Sequence, residues 1–109
     1  MTVVFEVLAE ENRRHILDLL IEDDRPVGDL VGLLSLTQPA VSKHLKVLRD
    51  AGLVDVRIDA QRRIYRVRPD PLQEVDEWLE PYRRRWARHL DALERHLEMM
   101  DPPDGESSA

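Results

Sequence analysis

The feature that most constrains this chain is an abrupt change of hydrophobic period at Gly52. Before it, Val41, Leu45 and Leu48 stand at i, i+4 and i+7, the spacing that lines one face of a helix. After it, Val54, Val56 and Ile58 alternate with Asp55, Arg57 and Asp59, and a second alternating run covers 63–68 beyond the turn Asp59-Ala60-Gln61. A chain that switches from a period of about 3.6 to a period of two has to end a helix and begin a hairpin there. Glycine is the residue that ends helices at least cost, because the stop often needs a left-handed backbone.

Upstream, Val4, Phe5, Leu8, Ile16, Leu17, Leu19 and Leu20 recur at helical spacing with a polar interruption at 10–14, which predicts a short helix and then a second. Asp23-Asp24-Arg25-Pro26 breaks the pattern, and Pro26 is expected in the first turn of a third helix carrying Val27, Leu30, Val31 and Leu34 and ending near Ser35. The fourth helix is expected over 38–51, with Thr37 as its N-cap and Pro39 in its first turn. Pro69 and Pro71 close the hairpin, and two further helices are expected at about 72–79 and 81–100. The tail at 101–109 has little to bury and is expected to be disordered, leaving one domain over 1–100. The fold class is therefore mainly α with a small β-hairpin: a winged helix-turn-helix with an additional C-terminal dimerisation helix.

The formal net charge of −6 argues at first against a nucleic-acid partner. Its distribution reverses that. Residues 1–37 hold three basic and eight acidic side chains, residues 38–68 eight basic and three acidic, and residues 69–109 five basic and eleven acidic. A basic middle between acidic flanks can hold DNA at one surface while the rest of the molecule discourages nonspecific adhesion.

In a helix-turn-helix the second helix enters the major groove, whose width of about 12 Å admits it. Here that helix carries an amide able to bond adenine bidentately, a small hydroxyl, and cations able to reach guanine or phosphate. Gln38, Ser42, Lys43 and His44 are the candidates for base contact, with Pro39 at the same end, and Lys46 and Arg49 are better placed for phosphate. On the hairpin, Arg62 and Arg63 lie beside the turn and are read as DNA contacts. For Arg66 and Arg68, DNA contact and a role in balancing the acidic flanks are equally good readings.

These residues also resemble a family. Phe5-x-x-Leu8-Ala9, Arg13-x-x-Ile16-Leu17-x-Leu19-Leu20, Val27-x-Asp29-Leu30, the run from Gln38-Pro39-Ala40-Val41-Ser42-Lys43-His44-Leu45 to Leu48, and Ala51-Gly52-Leu53-Val54 are similar to the ArsR family of repressors, over about 5–69. The resemblance implies a homodimer on an inverted-repeat operator in double-stranded DNA and repression of nearby genes. Metal-responsive members place cysteines where this chain has Pro26 and Gly28. The C-terminal ligand pattern of other members meets Trp78 and Ala92 here, so neither metal site is expected. The stretch from Trp78 to Leu97 resembles a branch of the family not known for metal sensing. His89 and His96 with Glu98 or Asp91 leave room for a different His and carboxylate site, and no cofactor or inducer is identified.

Leu79, Tyr82, Trp86, Leu90, Leu93, Leu97 and Met100 are spaced by 3, 4, 4, 3, 4 and 3. So long a nearly coiled-coil seam exceeds what a small domain covers from its own core, so it is expected to pair with a second copy, helped by the first helix. The absence of cysteine removes disulfides, thiolate ligands and thiol nucleophiles together. No run of about 18 apolar residues and no signal-peptide pattern is present, so a cytoplasmic protein with no membrane partner is expected. Ser, His and acidic side chains fall mostly on faces expected to be exposed, with no catalytic motif around them, so an enzyme is not expected. A winged helix serving protein–protein contact is the other alternative, and the basic reading face argues against it.

Overall fold

The computed structural model describes residues 1–100, and the tail expected to be disordered lies outside the described residues. In order, the elements are α1 (Thr2–Leu8), α2 (Glu11–Glu22), β1 (Arg25–Pro26), α3 (Val27–Leu34), α4 (Gln38–Asp50), β2 (Val54–Asp59), β3 (Arg62–Val67) and α5 (Asp70–Met100). They fall into two compact units, 1–75 and the remainder, with α5 running through the boundary.

The core of the first unit is built from the sequence stripes. Ile16, Leu17 and Leu20 of α2, Leu30 of α3, and Val41, Leu45 and Leu48 of α4 are buried together with Leu53, Val54 and Tyr65. Full burial of an aliphatic side chain of this size contributes about 1.5–3 kcal/mol. Among the described residues no polar or charged residue is buried.

Several helix ends have a local cause. Glu10 caps α2, its carboxylate accepting the Asn12 backbone N–H at 2.8 Å. The Thr37 hydroxyl oxygen accepts the Ala40 N–H at 3.3 Å, and Pro39 occupies the first turn, as expected. At the far end of α4, Gly52 has φ of 78°. Its N–H reaches the Arg49 carbonyl, and the Leu53 N–H reaches that of Leu48, both at 2.9 Å. This paired closure places Leu53 back against Leu48, both fully buried, so the helix stop also anchors the hairpin.

The sheet is larger than the sequence suggests. β1 joins the hairpin as a third strand in the order β1-β3-β2, all antiparallel, with Arg25 opposite Tyr65 and Pro26 opposite Ile64. Pro26 is extended and caps α3 instead of lying in its first turn. A two-residue strand has no measurable period, and proline, which has no N–H to donate, is suited to the sheet edge. Arg25 ties this edge to α2 through Nε–H to the Leu19 carbonyl at 3.1 Å.

The second correction concerns the C-terminus. The two helices expected at 72–79 and 81–100 are one continuous α5, with Pro81 inside it. An interior proline removes a hydrogen bond and crowds the preceding turn. Here Arg83 braces the helix from beyond that point, donating to the Asp76 carboxylate at 2.9 Å, the Asp76 carbonyl at 3.0 Å and the Glu80 carboxylate at 2.7 Å. The Arg83 hydrogen bond holds the Glu80 carboxyl below its ordinary range.

A methyl group added at Gly52 meets the Pro71 ring at an ordinary 3.5 Å, so the left-handed backbone alone sets its cost. Gly52→Ala should therefore lower stability by about 1 kcal/mol, read from the urea midpoint. Leu48→Ala, which empties a fully buried position, should lower it by about 2–5 kcal/mol. Equal midpoints for Gly52→Ala and the wild type would contradict the assigned helix stop.

Candidate nucleic-acid interface

Burial of Val41, Leu45 and Leu48 sets the rotation of α4 about its own axis. Gln38, Pro39, Ser42, Lys43, Lys46 and Arg49 are left exposed on the rest of its circumference. Thr37 ends a three-residue connection from α3, in which Ser35 takes the left-handed conformation at φ of 57°. The two helices are thus joined by a tight turn, which is the helix-turn-helix arrangement.

Four of the candidate residues are brought together. Ser42, Lys46 and Arg49 of α4 line one depression with Arg63 and Tyr65 of β3, together with Leu45 and Asp50. The hairpin and the exposed helix face therefore form one surface. Gln38 and Pro39 sit at the N-terminal end of α4, outside that depression, and Lys43 is exposed elsewhere on the helix. Arg62 is on the opposite face of the hairpin from Arg63, in register with Asp59.

His44 is set apart from the others. It is half-buried, and its Nδ1 accepts a hydrogen bond from Arg13 Nε of α2 at 3.4 Å. The helical period groups it with the outward base-contact candidates, because a period alone does not reveal the arginine that packs beside it. Nothing in the spacing of the chain marks Arg13 itself as a site residue.

The charges divide into free and paired sets. The side chains of Lys43, Arg49, Arg62 and Arg63 have no ion pair or hydrogen-bond partner among the described residues. Lys46 lies 3.2 Å from Asp50, one turn further along the helix. Arg57 is 3.9 Å from Asp59. Arg66 and Arg68 both reach Asp55, at 3.0 and 3.2 Å, and Arg68 also reaches Asp70 at 3.0 Å. Both arginines are thus paired with acids, with Asp55 inside the basic segment and, for Arg68, also with Asp70 at the start of the acidic C-terminal flank. Hydrogen bonds from Arg66, the Val56 backbone and Arg68 hold the Asp55 carboxyl below its ordinary range. The two-residue turn sets this pairing, since it puts Asp55 directly opposite Arg66.

In the second unit, Tyr82, Trp86, Leu90, Leu93, Leu97 and Met100 are exposed, Trp86 and Leu90 at 56% and 61%, while Leu79 is half-buried. The Trp78 and Tyr82 rings stand 5.0 Å apart. Among the described residues no three His, Cys, Asp or Glu side chains converge as a metal cage would require. No helix among them is long and apolar enough to cross a membrane.

Comparison with known proteins matches these features. The family model described as bacterial regulatory protein, arsR family, matches residues 10–56, which run from the start of α2 into the hairpin. HTH-type transcriptional regulator Rv2034 of Mycobacterium tuberculosis is 36% identical over 97 residues, covering 89% of this chain and 85% of its own. Transcriptional repressor SdpR of Bacillus subtilis is 30% identical over 79 residues, covering 72% and 88%. Among solved structures, an ArsR-like transcriptional regulator from Rhodococcus sp. RHA1 superposes with a TM-score of 0.67 at 30% identity, covering 86% of this chain and 89% of that one. The winged helix-turn-helix, its basic reading surface and these relatives together establish that the chain belongs to the ArsR family of bacterial regulatory proteins and is a DNA-binding transcriptional regulator.

Proposed function

We propose that the protein is a repressor that binds an inverted-repeat operator as a homodimer. The observation that carries this reading is the shared depression in which Ser42 and Lys46 meet Arg49 and Arg63, two cations whose side chains have no partner among the described residues. Unpaired cations on a reading helix and its hairpin fit a polyanion, because each phosphate they neutralise releases a condensed counterion. Gln38, Ser42 and Lys43 read bases in the major groove, with Pro39 against the same edge. Lys46 and Arg49 hold the backbone, joined by His44, whose half-buried place beside Arg13 separates it from the base-contact candidates with which the helical period groups it, and Arg62 and Arg63 grip the strand beside the adjacent minor groove. Repression follows the relative SdpR, which is named a transcriptional repressor. The protein works in the cytoplasm, without a catalytic role or a metal ligand set.

The apolar seam of Leu79, Tyr82, Trp86, Leu90, Leu93 and Leu97 is the dimer interface. An exposed row of this length is seldom left open to water in a stable monomer. A two-fold dimer presents its reading helices about one DNA turn, roughly 34 Å, apart.

Selection of bound sequences from random duplex DNA tests the whole reading. An inverted repeat with half-sites one turn apart is the expected result, and a lone half-site would overturn the dimeric mode. On the selected operator, Ser42→Ala with Lys43→Ala should weaken binding by about 1–3 kcal/mol for each base-edge hydrogen bond removed, with an unchanged circular dichroism spectrum. Full affinity in that variant removes these residues from the interface.

The hairpin generates a different signature. Arg62→Ala or Arg63→Ala should weaken all sequences alike and lower the salt slope by about 1 each. Asp55→Asn frees Arg66 and leaves Arg68 to Asp70 alone, so its salt slope should steepen. Asp55 is ionised more readily folded than unfolded, so it stabilises the protein above the ordinary carboxylate range, and this contribution is lost as pH falls through its lowered folded value. Acid unfolding of Asp55→Asn should accordingly be less steep than that of the wild type. A slope that stays put in both assays would show that Asp55 restrains neither arginine.

Leu90→Glu with Leu93→Glu places charges in the seam, where unpaired burial costs several kcal/mol. Sedimentation should show monomers, with near-complete loss of operator binding. A double variant that remains dimeric at full affinity would locate the interface elsewhere.

A further inference from the structure

We propose that Arg13 holds His44 in the tautomer that carries its proton on Nε2, and that this N–H is the donor His44 offers to a phosphate of bound DNA. The second half rests on the DNA-binding reading above; the first half does not.

A guanidinium has donors and no acceptor. With Arg13 Nε directed at His44 Nδ1 across 3.4 Å, that ring nitrogen must present its lone pair. The single proton of a neutral imidazole is then on Nε2, and imidazolium, protonated at both nitrogens, cannot accept the bond at all.

The arginine is not a loose surface side chain. It is half-buried, and its Nη1 donates to the Val7 carbonyl near the end of α1 at 3.3 Å. Because the guanidinium is planar and rigid, anchoring Nη1 on α1 fixes the direction of Nε towards α4. Val7, Val47 and Ala51, with Glu6 and Asp50, line the depression in which Arg13 sits. One residue of α2 thus ties three helices together at the ring of His44.

A phosphodiester offers only acceptors, so it requires a donor from its partner. A histidine free to exchange tautomers presents that donor only part of the time at either nitrogen. One whose Nδ1 is already engaged presents Nε2–H alone. His44 is half-buried beside Arg13, whereas Gln38, Ser42 and Lys43 are exposed, and this set-back place favours the DNA backbone over a base edge as its target. Arg13 is therefore a positioning residue, acting on DNA through His44.

Proton–nitrogen correlation spectra of the full chain, free and on its selected duplex, read the tautomer directly. The wild type should show the Nε2–H form alone, and Arg13→Met should show both forms. An Nδ1–H form in the wild type overturns the proposal. His44→Gln, whose amide N–H reaches the Nε2 position, should keep affinity to within about threefold, while His44→Asn, reaching only the Nδ1 position, should lose about tenfold. That loss should be the same on selected and random duplexes and leave the salt slope unchanged, since a neutral donor displaces no counterion. Equal affinities for the two variants, both shown to be folded by their melting curves, or a change of base preference, would sink the phosphate contact. Failure of the wild type to bind any duplex removes the DNA-binding reading instead, and the tautomer of the free protein is still measured.

Discussion

Burial of Val41, Leu45 and Leu48 is the constraint on which the rest of the reading surface depends. Three side chains on one face leave a helix no freedom to rotate about its axis. Everything outward on α4 is then a consequence, including which cations can meet a polyanion. The closure at Gly52 extends this control past the helix, because Leu53 returns to Leu48 and starts β2 from a fixed point. The hairpin is therefore placed relative to α4 by the same buried layer that orients α4 itself. The proximity of Arg63 to Ser42 and Arg49 follows from that shared origin.

Electrostatics within the basic segment work by subtraction. Four arginines lie on the hairpin strands and Arg68 follows directly after them, yet Asp55 engages Arg66 and Arg68, and Asp59 stands near Arg57. Arg62 and Arg63, nearest the turn, remain without partners among the described residues. Ion pairing thus concentrates available positive charge at the tip of the wing, while the base of the hairpin is internally balanced. Exposed pairs of this kind contribute little to stability. Their main consequence is where unbalanced charge is left.

The two units divide the work along the chain. The first has a layered core of helices and sheet. The second is a helix without a buried residue among those described, carrying an apolar row and a brace of ion pairs around Pro81. Arg83, beyond Pro81, bonds Asp76 and Glu80 before it, where the helix runs on across a proline.

Much of this is written plainly in the residues. The stripes of α2 to α4, the Thr37 cap, the stop at Gly52 and the alternation of the hairpin are local patterns with a direct physical cause, so sequence alone identifies the helix-turn-helix, its wing and the reading helix. The residues that mislead are those whose neighbours are distant in sequence or whose support is visible only in three dimensions. β1 is too short to have a period and exists only because β3 offers it an edge. Pro81 reads as a break until Arg83 is seen bonded to Asp76 and Glu80. His44 reads as one more outward polar side chain until Arg13, thirty-one residues earlier, is found against its ring. Periodicity reports which way a side chain faces relative to its own helix. Only tertiary packing decides what stands opposite it, because that partner is chosen by the docking of separate elements and leaves no spacing in the chain.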